Sequence, residues 1–141
     1  MIRPYVLALL LILISSYAQA GTGFRQLTLE THTARPLNVT LWYPSDSAGA
    51  SEQVGENAAF YGESVLRDAT PLHQPHPLIM LSHGYGGSWR NLNWLAVALV
   101  AQGYTVAAPD HPGTTTANRE PLFSEELCVG NEFFILFISW L

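Results

Sequence analysis

The chain has 141 residues, 48% of them hydrophobic and 12% charged. That is enough for one domain with a sizeable core, and its charged share is about half of the usual ~25%, so it is not a disordered acidic or basic tail. Net charge is −5 and all six basic residues are Arg; without the basic stripe that a nucleic-acid binder needs, nucleic acid is excluded as a partner.

Residues 1–20, MIRPYVLALLLILISSYAQA, open with one positive charge at Arg3. An apolar run follows from Tyr5 to Ile14, and then small residues at Ala18 and Ala20. This is the three-part plan of a secretory signal peptide. It predicts cleavage after Ala20, export to the periplasm or beyond the cell, and no stable membrane span in the mature chain. The apolar run is shorter than the ~20 residues of a spanning helix; the rival reading is an uncleaved anchor. Export implies an oxidising space, but Cys128 is the only cysteine and has no internal disulfide partner. It reads as a small apolar residue.

Two strands are predicted in FRQLTLETHTARPLNVTLWYPS. Leu27, Leu29 and Thr31 alternate with Gln26, Thr28 and Glu30, and Leu37, Val39, Leu41 and Tyr43 alternate with Asn38, Thr40 and Trp42. Period-two alternation argues for half-buried antiparallel strands, with TARP as the turn. Residues 46–76 have no sustained period. They read as a long surface connection, with a short helical turn near Ser64 and prolines at 71, 75 and 77 keeping the rest extended.

LIMLSH is a continuous apolar run ended by glycine, as expected for a strand buried on both faces of a parallel sheet. GYGGS is a turn. WRNLNWLAVALVAQGY is a helix with a broad apolar face from Leu92 to Val100, capped by Asn91 or Asn93 and closed by Gly103. TVAAPD is a second buried strand, so the unit is βαβ, a connection that is almost always right-handed. Beyond Thr116 the pattern weakens, and NEFFILFISWL is an apolar tail. The expected organisation is a leader over 1–20, an α/β domain portion over 21–116 and a divergent tail over 117–141.

The chemistry is concentrated in LSHGYGGS. A buried strand ending in His-Gly-x-Gly-Gly presents backbone N–H groups at the C-terminal edge of a sheet, and glycine lets that backbone turn tightly against a substrate. Such N–H groups stabilise the oxyanion of ester cleavage.

LSHGYGGSWRNLNWLAVALVAQGYTVAAPDHPGT resembles the third strand, oxyanion loop, first helix and fourth strand of an α/β-hydrolase. The wording is most similar to the predicted dienelactone hydrolases and the platelet-activating-factor acetylhydrolase-like esterases. VTLWYPS and YGESVLRDATP also resemble that group, so the likeness covers about residues 24–116. The resemblance implies the N-terminal portion of an α/β-hydrolase fold, an antiparallel strand pair followed by a βαβ unit, with the three-layer architecture incomplete. It also implies a carboxylic ester hydrolase acting by serine acyl transfer on a small-molecule ester, with no cofactor. Tyr85 stands where the family's oxyanion residue stands, with its backbone N–H as donor. Gly84, Gly86 and Gly87 shape the loop, His83 braces it, and Asp110 and Gly113 shape the turn after the fourth strand.

His83 or His111 as a base, with Asp110 as the acid, does not suit the family's chain order of nucleophile, acid and then histidine. A metal site from His73, His76 and His111 lacks a recognisable ligand set, and a phosphate-binding reading lacks the Lys of its pattern. No Ser lies in a G-x-S-x-G: Ser51, Ser64 and Ser88 have the first Gly and lack the second. Nor is Cys128 flanked by the glycines of a G-x-C-x-G.

The expectation is therefore an N-terminal piece, departing from the family near Asn118 through truncation or frameshift and inactive alone. The alternative is a non-catalytic fragment. It would bind a complementary C-terminal chain through the open edge of the LIMLSH strand, an edge that would also invite aggregation.

Overall fold

The computed structural model describes residues 20–29 and 36–118, and the backbone of 135–138. The expectations for the leader, for Cys128 and for most of the tail lie outside the described residues, as does most of the TARP turn.

The strands are β1 (Gly21–Leu29), β2 (Leu37–Ser45), β3 (Glu52–Val54), β4 (Glu63–Arg67), β5 (Leu78–Leu81), β6 (Thr105–Asp110) and β7 (Ile135–Ile138), with one described helix, α1 (Trp89–Val100), between β5 and β6. They form one mixed sheet in the order β3-β4-β1-β2-β6-β5-β7. β1 and β2 pair antiparallel, with Gly21 opposite Ser45 and Leu29 opposite Leu37. β2 pairs antiparallel with β6, and β6 pairs parallel with β5. The expected strand pair and βαβ unit are therefore present, joined through β2 and β6, and they make a partial α/β fold.

The core lies between the sheet and α1. Side chains on one face of the strands, among them Phe24, Trp42, Ile79, Leu81, Val106 and Ala108, pack against Trp89, Leu92, Ala96 and Val100 of the helix. Their spacing is the period of two on the strands and of three to four on the helix. Phe24, Trp42 and Trp89 form the aromatic centre, with ring centroids 5.4–6.0 Å apart and tilted planes, the arrangement ring quadrupoles favour.

The half-buried alternation expected for β1 and β2 does not hold. Trp42 and Tyr43 are both buried, because α1 covers Trp42 on one face and the chain around Ala69 lies against Tyr43 on the other. Trp42 faces the helix, while the Tyr43 hydroxyl donates to the Ala69 carbonyl at 2.7 Å. Gly23 lies directly under the Tyr43 ring, where an added Cβ would come within 2.2 Å, so only glycine fits that position. At the far end of the hairpin Leu27 and Leu29 are exposed, since that end runs past the core.

The connection 46–76 is more regular than its sequence suggests. Ser64 lies in β4, opposite Gln53 of β3, where a helical turn was expected. β4 in turn pairs parallel with β1. These strands are too short to show a period; single buried residues, Val54 and Val65, fix each to the core.

β6 is buried on both faces, as expected, but β5 alternates: Ile79 and Leu81 are buried, Leu78 and Met80 only partly. Among the described residues α1 is the only helix, and it covers one face. The edge of β5 expected to stand open is instead paired antiparallel with β7, Leu78 opposite Ile138 and Leu81 opposite Ile135. The apolar tail supplies the missing ladder partner. No described helix is long and apolar enough to cross a membrane.

Candidate functional site: the glycine loop after β5

The loops after β5 and β6 leave the sheet side by side, because these neighbouring strands are parallel. Ligands in open α/β sheets bind at such C-terminal strand ends. The loop after β5 runs from Ser82 to Ser88 and leads into α1.

The start of α1 is closed by Ser88, not by Asn91 or Asn93 as expected. The Ser88 hydroxyl accepts from the Arg90 N–H, and the Asn91 side chain accepts from the Ser88 N–H at 3.1 Å, which makes a capping box. Asn93 points inward and is buried. Asp110, at the end of β6, accepts from the Trp89 N–H at 3.0 Å, a carboxylate at the positive end of the helix. Gly103 closes the other end as expected. It has a positive φ of 89°, and the Gly103 and Tyr104 N–H groups donate back to the Val100 and Leu99 carbonyls, the Schellman pattern.

Within the loop, Gly86 has φ 76°, which favours glycine. Gly87 donates to the Gly84 carbonyl at 2.9 Å. A Cβ on Gly87 would lie 3.0 Å from that carbonyl oxygen and 3.2 Å from the His83 Cβ, whereas one on Gly84 would meet nothing within 4 Å. A side chain at Gly87 would thus be crowded by its neighbours, and Gly84 stands on open space. His83 is buried, and its Nδ1 bonds the Gly84 carbonyl at 2.9 Å. Tyr85 lies at the turn, partly buried.

The turn after β6 is stitched to this loop. Gly86 N–H donates to the Thr114 carbonyl at 2.6 Å, and Thr116 N–H to the Gly87 carbonyl at 3.0 Å. The Thr116 hydroxyl also donates to the Gly86 carbonyl at 2.7 Å. The His111 N–H donates to His83 Nε2 at 3.3 Å, and the His111 ring shares a 2.8 Å hydrogen bond with Ser82. The two rings lie 5.4 Å apart, centroid to centroid. Burial, and then the neighbouring His83, hold His111 below its ordinary 6.5, with Asp110 pulling the other way. Gly113 takes a positive φ of 84° in this turn.

The loop residues His83, Gly84, Tyr85, Gly86 and Gly87 are thus brought together, with Asp110 and Gly113 beside them. Ser82, Thr114 and Thr116 were not singled out from sequence; the run of threonines after Gly113 was the available signal. The histidines of the considered metal site are engaged separately: His76 bonds the Gly103 carbonyl at 2.8 Å and His111 bonds Ser82, and no metal-binding group of three was found among the described residues. A cleft of about 440 Å3 opens beside the helix start, lined by Asn38, Ser88, Arg90, Asp110, Thr115 and Asn118 among others.

Sheet, helix and loop define an α/β protein with an esterase-like fold. The comparison that carries this is a solved ferulic acid esterase from Streptomyces cinnamoneus, 27% identical over 72% of this chain, with a TM-score of 0.61. The matched region is 36% of that structure's chain, so this chain spans about a third of its length. No protein-family model and no curated protein matches the sequence.

Proposed function

We propose that the chain carries the oxyanion-binding portion of an exported serine carboxylic-ester hydrolase of the dienelactone hydrolase and platelet-activating-factor acetylhydrolase-like group. The observation behind this reading is the glycine loop at the C-terminal end of β5, in a fold similar to that of an esterase. In the reaction a serine Oγ attacks the ester carbonyl, the carbonyl oxygen gains negative charge, and the Tyr85 N–H donates to it. The alcohol leaves, and water releases the acid from the acyl-enzyme. No cofactor takes part. Nucleophile, acid and base belong to a segment outside this sequence, so the chain alone is inactive. The leader is removed after Ala20. Esters of aromatic acids are the first substrates to try, given the neighbour's activity.

The test is to read the DNA beyond the Asn118 codon in all frames, join any continuation carrying G-x-S-x-G, and assay feruloyl and short-chain acyl esters. Hydrolysis that needs the joined serine supports the reading. The absence of such a continuation, or a joined enzyme inert on every ester, overturns it. In an active enzyme Tyr85→Phe should leave kcat unchanged. Tyr85→Pro, which deletes the N–H, should lower kcat by about 10²–10³, the usual effect of losing one oxyanion donor.

A further inference from the structure

The group through which the loop acts in that reading is the peptide joining Gly84 to Tyr85. It is planar and trans, so its C=O and N–H point in opposite directions, and whatever holds one aims the other. The Gly84 carbonyl is held by two partners, the Gly87 N–H and His83 Nδ1, each at 2.9 Å. Nδ1 can donate only if it carries the ring proton.

The other ring nitrogen decides whether it does. His83 Nε2 faces the backbone N–H of His111 at 3.3 Å, and it can accept that bond only with a free lone pair. One protonation state satisfies both ends: the neutral ring with its proton on Nδ1. Moving the proton to Nε2 would aim it at Asp110 Oδ1, 3.6 Å away. It would also set the ring N–H against the His111 N–H and the Nδ1 lone pair against the Gly84 oxygen. His83 is 3% exposed, so water cannot readily replace the lost bonds, and buried groups left unpaired are disfavoured. His111 is fixed in turn by its ring bond to Ser82 and by its carbonyl, which accepts from the Thr114 N–H and hydroxyl.

We propose that His83 is a positioning residue, held in its Nδ1–H form by the His111 backbone N–H, that aims the Tyr85 N–H through the shared Gly84–Tyr85 peptide. The functional meaning rests on the reading of Tyr85 as an oxyanion donor; the geometry does not. Ser82 and His111 complete the relay, tying the aim of a group on the β5 loop to the turn after β6.

The test uses this chain, labelled with 15N and observed by NMR without substrate. The expected result is a His83 ring protonated at Nδ1 alone, with a coupling across the hydrogen bond from the His111 amide nitrogen to Nε2. His83→Leu fills the site without a donor and should shift the Tyr85 amide resonance. It should also speed exchange of the Gly87 amide, which shares the Gly84 carbonyl, by about fivefold to tenfold, the worth of one buried hydrogen bond. His83→Asn offers an amide N–H near the Nδ1 position and should restore both signals. A ring protonated at Nε2, or a Leu variant with an unmoved Tyr85 amide, overturns the proposal. If the Leu variant does not fold, the wild-type ring measurement still decides. A correct ring state in a joined enzyme that cleaves no ester would fault the functional reading and leave the relay standing.

Discussion

Asn93 is a buried polar residue inside an apolar helix face, and replacing it tests how the sheet is held to α1. It is 2% exposed. Its Oδ1 accepts from Trp42 Nε1–H at 2.9 Å and its Nδ2 donates to the Val54 carbonyl at 2.8 Å, so one side chain ties β2 and β3 to the helix. Asn93→Leu keeps the branched shape, though with more bulk, and leaves both partners unpaired, at about 1–3 kcal/mol each. At mid-range the two unpaired groups cost about 4 kcal/mol and the buried leucine returns roughly 2 kcal/mol, leaving an expected net loss of about 2 kcal/mol. With a urea slope of roughly 1–3 kcal/mol/M, the unfolding midpoint followed by circular dichroism should fall by about 1 M. Trp42→Phe removes the same donor from the other side. The double variant should therefore lose less than the sum of the singles, by about 0.5–3 kcal/mol. A leucine variant as stable as the wild type with the same slope, or strictly additive variants, would refute the idea that these two bonds hold the layers together.

Gly87→Ala should lower the melting temperature while Gly84→Ala leaves it unchanged, because only the first places a Cβ against backbone; equal effects in a thermal melt would count against the packing described. Tyr43→Phe should cost about 1 kcal/mol in urea denaturation by removing the hydroxyl bond to the Ala69 carbonyl. For pH, His111 binds its proton less readily folded than unfolded. Its contribution is whole above about pH 6.5 and is lost as pH falls from there towards the lowered folded value. His111→Asn should flatten that part of the stability profile, and an unchanged slope between neutral and mildly acid pH would disprove the assignment.

The parts legible in the sequence were those whose pattern repeats. LIMLSH, the helix and TVAAPD were readable because a buried parallel unit writes long apolar runs, and Gly103 because a left-handed helix end wants glycine. β3 and β4 were not, since their anchors, Val54 and Val65, are single residues in polar surroundings. Trp42 looked outward from alternation alone; the helix on one face of β2 and the chain around Ala69 at Tyr43 bury both residues, and neither is near β2 in sequence. Asn93 looked like a helix cap because its type suits one, while its partners lie far away in sequence, on β2 and β3. In the site, the glycines and His83 stood out through local spacing, but nothing local reveals that Ser82 meets His111 or that Thr116 reaches Gly86.

Those crossing bonds bear on how the loop could be altered or moved. The segment from Ser82 to Ser88 and the turn from Asp110 to Thr116 share four kinds of link: His111 to Ser82, His111 to His83, Thr114 to Gly86, and Thr116 to Gly86 and Gly87; Asp110 also ties the turn to the first residue of α1. Neither is a self-contained module. Grafting the glycine loop onto another scaffold without the threonine turn would transplant the letters and lose the shape, and a library that varies one segment alone samples mostly broken pairs. The practical unit for engineering is both segments together, with α1 as the rigid spacer between them.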